Sequence, residues 1–182
     1  YRSHSFPTRR SSDLTLLRTE LENPGTFRRL WLFEPVMVPD GHLRPDDDHP
    51  LVIAARRRRT EFPSLEAFTE RLLGKPPFSN CEEEAVRAYA ELGTYESSAG
   101  VRLSCSGDTE ARIFGSGTTT DFKQLRSISS PTIIARGEAV ANGNELPPEM
   151  VAPIASHIGN GQLLPMEGLT HFGPMEAGAT IG

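Results

Sequence analysis

Ser130-Pro131-Thr132-Ile133-Ile134-Ala135-Arg136-Gly137-Glu138, and further on Gln162-Leu163-Leu164-Pro165-Met166-Glu167-Gly168-Leu169-Thr170-His171-Phe172-Gly173-Pro174, decide how this chain folds. Thr132–Arg136 is a short apolar run rich in β-branched residues and closed by Gly137, which reads as a buried strand. Pro147-Pro148 stands where a helix tolerates proline, and Val151, Ile154, Ala155 and Ile158 then recur at helical spacing. Gly159-Asn160-Gly161 ends that helix, and Gln162–Met166 is a second apolar strand. Strand, helix, strand is the unit of a parallel sheet. Beyond the second strand comes a glycine-bounded loop holding one histidine, His171, a suitable place for an acid–base catalyst. Gly173–Ala177 starts a last helix.

Towards the N-terminus, Thr15–Leu21 has a helical pattern that stops at Asn23-Pro24-Gly25, and Phe27–Pro35 holds a short apolar strand ended by proline. Asp40–Pro50 is a polar loop. From Leu51 to about Leu125 the pattern is mostly helical. Leu51–Thr60 is one helix, Pro63-Ser64-Leu65-Glu66 opens another, and Asn80 stands as a cap for Cys81–Leu92. In that third helix Ala85, Ala88, Tyr89 and Leu92 read as the apolar stripe. Val101–Cys105 is strand-like, and Asp108–Phe114 adds a further helical turn or two. The layout is an α/β fold with parallel strands and flanking helices, interrupted by a mostly helical insertion. Residues 15–39 form the first core segment, 40–127 the insertion, and 128–182 the C-terminal core with the His loop.

Residues 1–14 fit neither a helix period nor a strand alternation, and His4–Leu14 resembles one reading frame of a sequencing adapter. This segment is expected to be non-native and stays outside the fold reading.

The composition, 37% hydrophobic and 24% charged over 182 residues, suits one domain with a sizeable core. A net charge of −5 gives no global attraction to nucleic acid or to an anionic membrane surface. No apolar run approaches the roughly 20 residues of a membrane span. Cys81 and Cys105 make neither a disulfide framework nor a metal site on spacing, and read as reduced thiols of a cytoplasmic protein.

With these elements in place, residues 15–178 resemble the C-terminal half of an α/β-hydrolase fold enzyme. Pro131–Glu138 is similar to the strand and turn before the family's acid position, and Gly168–Glu176 to the loop carrying its catalytic His. Leu32-Phe33-Glu34-Pro35 is similar to the strand after the nucleophile strand, which precedes a helical cap. The resemblance implies hydrolysis of a small ester or related bond by a nucleophile, an acid and a histidine in that chain order. It makes His171 the base. It implies no cofactor and no metal, and a small apolar substrate, with Phe62, Phe68, Leu72 and Tyr89 lining the pocket under the lid. It also places the strand at Leu30–Phe33 beside the nucleophile strand, so that its edge is open here.

The chain departs from that pattern twice. The usual acid position, three residues after Gly137, is Val140, whose side chain carries no carboxylate. Glu34, at the strand end where some family members carry the acid, heads the remaining candidates, and Glu138 is the second. Glu145 lies at the far end of the same loop. No G-x-S-x-G turn occurs anywhere, and neither Ser97-Ser98-Ala99-Gly100 nor Gly115-Ser116-Gly117 has its spacing. The nucleophile therefore falls to sequence preceding Thr15, and the 182 residues alone are expected to be inactive. A non-catalytic relative that keeps the fold for binding is the alternative.

Two further features have plainer readings. Arg56-Arg57-Arg58-Arg59 reads as a solvated helix face near Asp46-Asp47-Asp48 rather than a nucleic-acid patch. Asp46-Asp47-Asp48-His49 lacks the second ligand cluster that a metal site needs.

Overall fold

The computed structural model describes residues 8–41, 48–115, 119–138 and 149–181. The elements begin with α1 (Thr8–Glu22), β1 (Leu30–Phe33), β2 (Val38–Pro39), α2 (Pro50–Arg57), β3 (Glu61–Phe62), α3 (Leu65–Leu73), α4 (Glu83–Leu92) and β4 (Thr94–Ser97). They continue with β5 (Gly100–Leu103), α5 (Gly107–Gly115), β6 (Thr119–Thr120), β7 (Thr132–Gly137), α6 (Val151–His157), β8 (Gly161–Met166), α7 (Gly173–Glu176) and α8 (Gly178–Ile181). One compact unit comprises α1, β1, β2, β6, β7, α6 and β8. The other comprises α2 to α5, β3 to β5, α7 and α8.

The first unit is built on a parallel sheet in the order β1-β7-β8. Leu32 pairs with Ile134, and Ile134 with Leu163, so one set of alternate residues shares a face. Leu30, Leu32 and Ile134 on that face meet Leu17 of α1 and Val151, Ile154 and Ala155 of α6 in one core, together with Leu125 and Ile128. Leu32 and Ile134 are fully buried, and truncating either to alanine costs about 2–5 kcal/mol. The α6 face is the one its spacing predicts. The strand expected over Gln162–Met166 is present, but it is not buried: β8 lies at a sheet edge, and Leu163 and Leu164 keep 38% and 40% of their surface exposed. β1 forms the other edge, as expected. A two-residue parallel pairing of β2 with β6 has no signature in the sequence.

α1 begins well before Thr15, taking in residues of the adapter-like segment. Leu14 packs against the core that buries Leu17, one helical turn on, so the helical stripe extends upstream. The helix ends at the Asn23-Pro24-Gly25 signal, with Gly25 at φ +84°. Glu20 fixes this exit. Its carboxylate is fully buried and accepts from Gly25 N–H (2.8 Å), Phe27 N–H (3.0 Å) and the Ser130 hydroxyl (2.7 Å). These bonds hold it below the usual carboxylate range, the Ser130 hydroxyl contributing most and the two amides next.

The second unit is less purely helical than its sequence implies. β3, β5 and β4 form an antiparallel sheet, and Thr94–Ser97 carries too few apolar residues to announce a strand. α3 opens at Pro63–Glu66 as expected, with Ser64 capping it by accepting from Ala67 N–H. Asn80 does not cap α4: it lies in a 3-10 turn, Phe78–Asn80, and the helix starts at Glu83. The buried residues of α4 are Val86 and Ala90, while Ala88 and Leu92 are exposed, so the inward stripe is rotated from the expected one. Phe62, Phe68, Ala90 and Leu103 form a core against which Leu72 and Tyr89 pack, the Phe62 and Phe68 ring centroids lying 4.4 Å apart. These aromatics, expected to line a pocket, are the unit's own interior.

The arginine run also divides. Arg56 and Arg57 are exposed in the last turn of α2. Arg58 is half-buried and pairs with the buried Glu110 of α5. Arg59 donates from Nε to the Glu61 carbonyl and lies 5.0 Å over the Phe62 ring. His49 has a structural task, accepting from Leu51 N–H at the N-cap of α2. Asp46 and Asp47 lie outside the described residues, among which no cluster of three metal-ligating side chains occurs. No described helix is long and apolar enough to cross a membrane.

Candidate active site

The sequence brings Glu34 and His171 to the same end of the first unit's sheet. β1 and β7 run parallel in register, Phe33 opposite Ala135, and Glu34 follows at the C-terminal end of β1. Its N–H donates to the Ala135 carbonyl (3.0 Å), which continues the ladder one residue past the strand. The backbone then turns abruptly. Glu34 has φ +50°, the only positive φ of a non-glycine residue among those described. Such a conformation costs about 1–3 kcal/mol and persists where the surroundings over-determine it. Here they do.

The Glu34 side chain is fully buried, and both carboxylate oxygens are occupied. Oε1 accepts from the N–H of Gly137 at 2.8 Å. Oε2 is hydrogen-bonded to Nδ1 of His171. A carboxylate taken out of water needs such partners, because an unpaired buried charge is very costly. The ion–dipole bond from Gly137 and the imidazole together replace its lost hydration.

His171 is delivered by the chain leaving β8. Glu167 and Gly168 turn it, with Gly168 at φ +78° and the Leu169 N–H returning to the Met166 carbonyl (3.3 Å). Thr170 is buried, and the His171 side chain is 8% exposed. The imidazole is thus held between a buried residue and an acid rather than carried on a solvated tip. Its distance along the chain from Glu34 is 137 residues, and only the parallel sheet brings the two together.

Of the three residues singled out from sequence, Glu34 and His171 meet. Glu138, next to Gly137, is exposed. Val140 and Glu145 lie outside the described residues. One participant has no sequence signature: the Gly137 amide, which is silent because any residue but proline has an N–H. Away from the site, the buried Glu20 does have one, since an acid in the last turn of a helix opposes the helix dipole and so asks for a specific partner.

No protein-family model and no curated protein matches the chain. Solved structures do. The peroxisomal α/β-hydrolase Lpx1 of Saccharomyces cerevisiae superposes with a TM-score of 0.72 at 18% identity, over 93% of this chain and 48% of that one. E-2-(acetamidomethylene)succinate hydrolase matches with a TM-score of 0.66 at 18% identity, over 92% of this chain and 59% of its own. The thioesterase domain from the curacin biosynthetic pathway matches with a TM-score of 0.62 at 18% identity, over 92% and 59%. The chain has the α/β-hydrolase fold, and it spans about half the length of the structures it resembles.

Proposed function

We propose that this chain is the acid- and histidine-bearing part of a hydrolase that cleaves a small ester or related acyl bond. The observation that carries the reading is the buried Glu34 carboxylate set against Nδ1 of His171. A carboxylate there fixes the Nδ1–H tautomer, leaving Nε2 as the basic nitrogen, and stabilises the imidazolium that forms when a proton arrives. Nε2 takes the proton of an attacking hydroxyl and returns it to the leaving group. It then activates water to release the acyl group.

The nucleophile belongs to sequence preceding Thr15, since no G-x-S-x-G turn occurs in the 182 residues. Donors for the developing oxyanion come in part from the same place. The segments α2 to α5 with β3 to β5, inserted between β2 and β6, serve as the cap. Buried, unbridged Cys81 and Cys105 fit a cytoplasmic setting. That the similar structures include hydrolases and a thioesterase supports the reaction class.

The test is the protein expressed from its full natural reading frame. It should carry a G-x-S-x-G or G-x-D-x-G turn before Thr15 and hydrolyse p-nitrophenyl esters of short acyl chains. A reading frame with no such turn, or a protein inert on the whole ester series, contradicts the proposal and favours a binding relative of the fold.

A further inference from the structure

Gly137 does two things at once. Its N–H is the second partner of the Glu34 carboxylate. Its missing side chain matters equally: a Cβ there would lie 2.5 Å from the Thr170 carbonyl oxygen and 2.6 Å from that of Leu169. Both are backbone atoms of the segment leading into His171, so neither clash is relieved by a side chain swinging away. Gly137 is buried, and the Thr170 it abuts is also buried. The end of β7 therefore touches the acid through its amide and the His loop through its empty side.

We propose that Gly137 is the positioning residue that sets the distance between Glu34 and His171. This inference rests on reading those two as acid and base. Any side chain at 137 pushes the His loop away from the sheet end while the amide keeps holding the carboxylate, so the pair parts. Gly161 supplies a matched control in the same unit. A Cβ there would lie 2.3 Å from the Ala155 carbonyl oxygen, a comparable backbone clash at the opposite end of the β7–β8 ladder from Gly137.

The experiment uses the 182-residue chain labelled with 15N-histidine. A His Nδ1–H bonded to a buried carboxylate gives a far-downfield, exchange-protected proton signal. The expected result is such a signal from His171 in the parent and in Gly161→Ala, moved far upfield in Glu34→Gln and lost in Gly137→Ala. A parent without the signal, or one in which Glu34→Gln leaves it in place, overturns the acid–base pair and this inference with it. A signal that moves in Glu34→Gln but survives in folded Gly137→Ala overturns the role of Gly137 alone. If Gly137→Ala does not fold, amide exchange decides. Glu34→Ala must then speed exchange of the Gly137 N–H by about tenfold, the loss of roughly one hydrogen bond, and an unchanged rate overturns the proposal.

Discussion

Glu34 and His171 form a buried pair in which one carboxylate oxygen takes the imidazole Nδ1 and the other takes the Gly137 amide. The carboxylate that meets the imidazole thus sits at the end of β1, while Glu138, directly after β7, is exposed.

The first consequence concerns which carboxylate matters. In the protein expressed from its full reading frame, the proposed role of Glu34 means that Glu34→Gln should lower kcat by about 10³–10⁴-fold, since the imidazole would lose the group that fixes its tautomer and steadies its charge. Glu138→Gln, altering an exposed side chain, should leave kcat within about twofold. Steady-state ester hydrolysis by the two variants checks this, and the reverse order would move the acid to Glu138.

Glu20 should make stability depend on pH. Its folded-state pKa is lowered by the Ser130 hydroxyl and the Gly25 and Phe27 amides. The stabilisation is therefore complete above the ordinary carboxylate range and fades as pH falls through the folded value. Glu20→Gln puts an amide NH2 among donors. Its melting temperature should lie well below the parent's near pH 7, with the gap narrowing as pH falls below the ordinary carboxylate range. A gap that does not change with pH contradicts the clamp.

The Arg58–Glu110 pair should hold α5 to the end of α2. Glu110→Ala strands a half-buried guanidinium and should cost about 3 kcal/mol in chemical denaturation. Replacing both residues by apolar side chains of similar volume should recover most of that loss. A double variant no better than Glu110→Ala contradicts the cause.

Cys81 should resist alkylation. Burial, with help from nearby Glu176, pushes its thiol up to about 12, and burial also raises Cys105. With the thiolate scarce, iodoacetamide near pH 8 should modify both slowly in the native protein and rapidly after unfolding. Fast native labelling of Cys81 would contradict its burial.

Much of this was legible in the sequence for physical reasons. β7 and α6 announce themselves because buried strands and amphipathic helices leave strong periodicity, and Val151, Ile154, Ala155 and Ile158 are buried as spaced. β8 reads as an apolar strand like β7, yet an apolar run does not reveal whether its strand has a neighbour on both sides, and β8 lies at an edge. Thr94–Ser97 was missed because a half-exposed antiparallel strand needs few apolar residues. The stripe on α4 is only partly legible because alanines are as common outside as inside: Val86 and Ala90 are buried and Tyr89 packs against the same core, while Ala88 and Leu92 are exposed. At the site, His171 stood out through its glycine-bounded loop. Glu34 could be shortlisted from its strand end, but its pairing with the imidazole arises from register across the sheet, which no local pattern carries.

The most direct measurement is kcat for His171→Ala in the protein expressed from its full reading frame, on a short-chain p-nitrophenyl ester. If His171 is the base of a hydrolytic triad, kcat falls by about 10⁴-fold or more while the fold survives. Hydrolysis unchanged in a folded His171→Ala protein would contradict the assignment outright.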